Sequence, residues 1–176
     1  MNFLNVIADL AVTTLQSAGV TGQIERSRFT PHNAQHYPLI LVYCRKDVGN
    51  TPGSARVHTP QFNHTTTLAI SVFEIGDSGS AIETSLLARG QSIADALLTN
   101  RDFVDTFEGV SAMRTDIVVP DDAEELIAQL VLEFDLLHAT DFIPVMPVDD
   151  FTEMRVDAQN KPDAPKPGAR ITPPQS

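Results

Sequence analysis

The sequence predicts an α+β domain: a four-stranded, mainly antiparallel sheet packed against two helices in the order α-β-β-α-β-β, followed by an extended C-terminal arm. Two segments place apolar residues at three- and four-residue steps, and four others are β-prone runs or strict alternations. Seven of the twelve prolines fall between Pro144 and the C-terminus, where no periodicity survives. The domain is therefore expected over residues 1–138 and the proline-rich arm over residues 139–176.

The first helix is predicted from Asn2 to Ser17, where Phe3, Val6, Ile7, Leu10, Ala11 and Leu15 form one stripe and Gly19 and Gly22 stop it. The polar stretch from Gln23 to Tyr37 reads as irregular. Pro38–Lys46 is a short apolar strand opened by a proline. A long polar connection, Asp47 to Asn63, leads to a second strand at His64–Ile75, where Leu68, Ile70 and Val72 share one face and Thr67, Ala69, Ser71 and Phe73 the other. These two strands are expected to pair as an antiparallel hairpin with a long tip.

Gly76-Asp77-Ser78-Gly79 is a turn, and Ser80 with Glu83 has the spacing of a capping box for the second helix. Ile82, Leu86, Ile93 and Leu97 mark its buried stripe, with Leu87, Ala94 and Leu98 beside them. A short helical turn is expected within Asn100–Phe107. A second hairpin closes the domain, with strands at Gly109–Val119 and Glu125–Leu137 around the turn Pro120-Asp121-Asp122. In its return strand Leu126, Ala128, Leu130, Leu132, Phe134 and Leu136 point inward, while Glu125, Gln129, Glu133 and Asp135 point outward.

About 42% of the 176 residues are apolar, enough for a soluble core, and no run reaches the roughly 18–20 apolar residues of a membrane-spanning helix. The N-terminal apolar stretch carries Asp9 and lacks a basic start, so it reads as a domain helix rather than a signal segment. One cysteine, Cys44, allows no internal disulfide and suits a reducing cytoplasm. With 23 acids against 12 bases the net charge is -11, which argues against general affinity for nucleic acid. Such acidity either keeps the protein soluble or lets a duplex pass beside it without sticking.

No catalytic constellation emerges, and no cofactor is implied. His32 and His36 have i, i+4 spacing, but Pro31 and the loop-like context argue against a metal pair. Cys44 lies in an apolar strand and reads as a buried structural thiol. Neither G-x-S-x-G nor a phosphate-binding glycine loop is present. Two features read as candidate interfaces. Arg45, Lys46, Arg56 and His58, assigned to the hairpin tip, form the densest basic group, which either contacts DNA or an acidic partner or is a solvated loop. In the arm, Phe142, Ile143, Val145, Met146 and Val148 are apolar on an extended chain; they fold back on their own sheet or cross to a neighbour, the latter being the favoured expectation.

The element order, together with RSRFTPHNAQHYPLILVY (Arg26–Tyr43), the helix SLLARGQSIADALL and the strand LIAQLVLEFDLL, resembles the tail terminator proteins of long-tailed phages, the lambda-type minor tail and tail-completion group. The resemblance spans about residues 1–138. It implies a virion protein assembled in the host cytoplasm, which forms a ring, expected to be a hexamer, at the head-proximal end of the tail tube. Its implied partners are itself, the tail tube protein and a neck or head-completion protein, with DNA passing through the lumen unbound and no membrane. The implied action is steric rather than enzymatic. A head–tail adaptor is the alternative within the same class; a small cytosolic ligand-binding domain or enzyme is the alternative outside it.

Overall fold

The computed structural model describes residues 3–27, 37–52, 61–76, 78–118 and 126–142, with the backbone of two short strands at Met154–Arg155 and Arg170–Ile171. By packing, the chain divides into two units, Met1–Phe142 and Ile143–Ser176. The first unit contains α1 (Phe3–Ser17), β1 (Gln23–Glu25), β2 (Leu39–Asn50), β3 (Gln61–Gly76), α2 (Gly79–Leu98), α3 (Arg101–Val104), β4 (Gly109–Val118) and β5 (Leu126–Asp141). In the second unit, β6 (Met154–Arg155) pairs antiparallel with β7 (Arg170–Ile171).

The α+β class is as expected, but the sheet has five strands in the order β1-β2-β3-β5-β4, and it is mixed. The unexpected strand is β1, which runs parallel to β2 through Gln23↔Leu39 and Glu25↔Leu41. Three residues are too few to show a period, so the sequence hides it. Gly22 permits this entry: its φ is 132°, and a Cβ there would lie 2.9 Å from the Pro38 carbonyl oxygen. The next amide, Gln23 N–H, donates to that same oxygen at 2.9 Å.

α1 buries Ile7, Ala8, Ala11, Thr14 and Leu15. It stops at Gly19, whose φ of 72° lets Val20 N–H reach the Leu15 carbonyl at 3.1 Å and satisfy one of the helix's orphan acceptors. α2 starts earlier than the Ser80–Glu83 spacing suggested. Its N-cap is Ser78, in extended conformation, whose side chain accepts from Ala81 N–H. Ile82, Leu86, Gly90, Ile93, Ala94 and Leu97 form its buried stripe, while Leu87 and Leu98 are exposed. The predicted helical turn is α3, capped by Asn100 and anchored by buried Phe103.

Both helices pack on one side of the sheet, where cross-strand rows interlock. Ile40, Val72, Leu130 and Ile117 make one row; Val42, Ile70, Leu132 and Thr115 the next; Cys44, Leu68, Phe134 and Met113 a third. All but Ile117, Thr115 and Met113, at the β4 edge, are buried. Cys44 is a buried thiol, as expected, and it donates to the Leu4 carbonyl oxygen.

Strand lengths also differ from expectation. β2 and β3 keep pairing through Asn50↔Asn63, so much of the supposed long tip is ladder. β5 runs on to Asp141, which pairs with Gln61. No helix among the described residues is long and apolar enough to cross a membrane.

Candidate functional site

The site begins with a β-bulge. Before it, Ile40, Val42 and Cys44 of β2 face the helices, a phase that would turn Lys46 inward and Asp47 outward. The register shifts between Cys44 and Lys46, so that Cys44 pairs with Leu68 but Lys46 pairs with Thr67. The extra residue, Arg45, reverses the phase of everything after it. Asp47 thereby pairs with Thr66 on the helix side, and Gly49 with His64. On the next strand His64 stands directly opposite His138. Four polar residues from three adjacent strands thus meet beside the apolar core.

Their hydrogen bonds form one chain. The Thr66 hydroxyl donates to Asp47 Oδ1 at 2.6 Å, so its 3.0 Å contact with His138 Nε2 has the imidazole N–H donating to Thr66. Asp47 Oδ2 accepts from His64 Nδ1–H at 2.9 Å. The other ring nitrogen, His64 Nε2, is buried and has no hydrogen-bond partner. The two imidazoles stack with centroids 4.8 Å apart and planes within 4°. Phe3 of α1 lies 4.3 Å from the His138 ring, and Gly49 leaves room for the His64 ring, whose Cε1 would be 3.0 Å from a Cβ there.

His138 is buried, which drives its pKa below the ordinary histidine value. The neighbouring His64 pushes in the same direction, while Asp47 and Glu108 oppose it less strongly. Among the described residues, Asp47, His64 and His138 are the group of metal-capable side chains brought together, one donor atom from each lying within 4.8 Å of the others.

The opposite side of the sheet carries a charged knot. Arg45 pairs with Glu133, and Arg114 bridges Glu133 and Asp135, donating to them at 3.1, 2.7 and 2.8 Å. Thr67 adds a bond to Asp135 at 2.7 Å. Burial raises the Glu133 pKa, but hydrogen bonds from Arg45 and Arg114 outweigh it and hold the carboxyl below its usual value. For Asp135 the Arg114 bond dominates over burial and lowers the pKa likewise. A recess of about 480 Å³ lies over this knot, lined also by Lys46, Val48 and Thr65.

A third polar group lies under α2. Arg89 binds the Thr21 hydroxyl at 2.7 Å and meets Glu74 at 3.4 Å, and Ser85 donates to the same Glu74 oxygen at 2.7 Å. Glu74 Oε2 and Arg89 Nε are buried without partners, so this ion pair is incompletely satisfied.

Arg45 and Lys46 are therefore not on a hairpin tip. They sit within the β2 ladder, on the outer face, and Arg45 is neutralised by Glu133. Arg56 and His58 lie outside the described residues, as do His32 and His36. Phe142 is exposed and meets Phe62 edge-on, with centroids 5.8 Å apart. Ile143, Val145, Met146 and Val148 also lie outside the described residues. Periodicity in single strands does not reveal the histidine–aspartate cluster, although His64 continues the phase of Leu68, Ile70 and Val72, and His138 that of Phe134 and Leu136. No protein-family profile matches the chain, and no curated protein matches it.

Proposed function

We propose that the chain is a structural subunit of a phage tail: a terminator that forms a ring on the head-proximal end of the tail tube, stops its growth and offers a docking surface to the neck or head. This reading rests on the resemblance carried by the element order and by the segments Arg26–Tyr43, SLLARGQSIADALL and LIAQLVLEFDLL. One structural observation supports it. At the sheet's end, β4 presents ten residues that hydrogen-bond only to β5 among the described residues. Around this edge Met113, Val118 and Ile127 are 45%, 56% and 40% exposed.

An unpaired edge strand flanked by apolar side chains is a hazard to a monomer and an attachment surface in an assembly. Copies related by rotation would bury this edge against a different surface of the neighbour, as ring closure requires. The net charge of -11 would make the lumen repel DNA, so a duplex passes without sticking. The action is steric: one ring face matches the last tube ring, and the other accepts no further tube subunit.

Native mass measurement of the protein, alone and mixed with purified tail tubes, tests the reading. A closed ring, alone or on tube ends, is expected. A monomer under both conditions contradicts it.

A further inference from the structure

We propose that Asp47, His64 and His138 form a binding site for a divalent transition ion of the zinc, nickel and cobalt kind, independent of the ring reading. Two imidazoles directly opposite each other on antiparallel strands have Cβ atoms about 4.5–5.5 Å apart, which lets one ion reach a nitrogen of each. The bulge in β2 delivers a carboxylate to the same place. Two histidines and one carboxylate, with a fourth position left to water, are a common ligand set for zinc, and imidazole donors favour ions of this class over calcium or magnesium.

One donor atom of each side chain now lies within 4.8 Å of the others; the Thr66 hydroxyl bridges Asp47 and His138, and His64 bonds Asp47 directly. Bonds of about 2.0–2.2 Å to a shared ion require them to draw in by about an ångström. The rings must tilt out of their parallel stack so that both lone pairs aim at one point, and Thr66 must yield its bridging place. His64 Nε2 is buried without a hydrogen-bond partner, so this ring carries a nitrogen that no protein group uses. His138 supplies a lone pair by moving its proton from one ring nitrogen to the other, and the net charge of the protein does not change. Phe3 packs against the His138 ring and shields that side of the site. An ion bound there ties β2, β3 and β5 together toward the tip end of the β2–β3 ladder, close to its last pair Asn50↔Asn63.

The test uses the full chain, stripped of metal and titrated with zinc by calorimetry and with cobalt by visible absorption. Binding of one ion per chain is expected, with a saturable rise in melting temperature. Asp47→Asn and His64→Gln should each weaken it by at least about tenfold, the loss that even an outer partner's removal causes. A chain with His32→Gln, His36→Gln and His58→Gln should bind as the wild type does. X-ray absorption of the cobalt-loaded wild type, which needs no variant to fold, should show two imidazoles. Failure of the wild type to bind overturns the proposal; so does binding that survives both site variants or is lost in the triple variant.

Discussion

Arg114 reaches across from β4 and grips Asp135 of β5 with two parallel hydrogen bonds, Nη1 to Oδ2 at 2.7 Å and Nη2 to Oδ1 at 2.8 Å. Charge-assisted pairs of this fork geometry are the stronger kind. The folded pKa values of Asp135 and Glu133 lie below their unfolded values. The unfolded chain therefore takes up protons first as pH falls. The stabilisation is present above the unfolded carboxyl values and is lost as pH drops through the folded ones. We predict that Arg114→Met lowers the unfolding midpoint most at neutral pH, and that the gap to wild type shrinks toward zero in acid. A gap that stayed constant with pH would assign the effect to packing alone.

Phe134 is fully buried in the third cross-strand row, between Leu68 and Met113. Phe134→Asp is expected to cost several kcal/mol, because it buries a charge with no partner and empties the space of a ring. Leu87, on the exposed side of α2, provides the contrast. Leu87→Gln should stay within about 0.5 kcal/mol of wild type. Denaturant titration of the two variants measures both.

Gly19 closes α1 in the left-handed region, with open space where a Cβ would stand. Gly19→Ala should therefore cost about 1 kcal/mol through backbone strain alone. Asparagine tolerates that conformation better, so Gly19→Asn should recover part of the loss. Thermal melts of the pair separate strain from crowding.

Val118 and Ile127 flank the open edge on the outer face of the sheet. Replacing them together, Val118→Glu with Ile127→Lys, should leave the melting temperature nearly unchanged, since neither side chain is in the core. The same variant should fail to form rings on tube ends, because charges would be buried at the subunit contact. Native mass measurement beside a melt reads the two effects apart.

Much of the fold was legible because its long elements carry their periods openly. The alternation of β5 named its buried face through Leu136, and the stripe of α2 placed Ile82, Leu86, Ile93 and Leu97 correctly. β1 was hidden because three residues have no period and its pairing depends on Gly22 and Pro38. The polar ends of β2 and β3 resembled a loop because Asp47, Asn50 and Asn63 are poor strand formers held there by cross-strand pairing. The histidine cluster was hidden for a related reason. The bulge at Arg45 reverses the facing of Asp47, and such an inserted residue cannot be read from alternation in one strand alone. His64 and His138 were in phase with apolar faces, and that was the available signal.

A tail terminator, the role proposed for this protein, sets the point at which the tube stops growing. The most direct measurement is the length distribution of tails, by electron microscopy, in particles made with and without it. Overgrown tails of uncontrolled length are expected in its absence, restored to one length when the protein is supplied. Tails of normal length in its absence would contradict it, and if those tails also failed to join heads, the protein would be a head–tail adaptor instead.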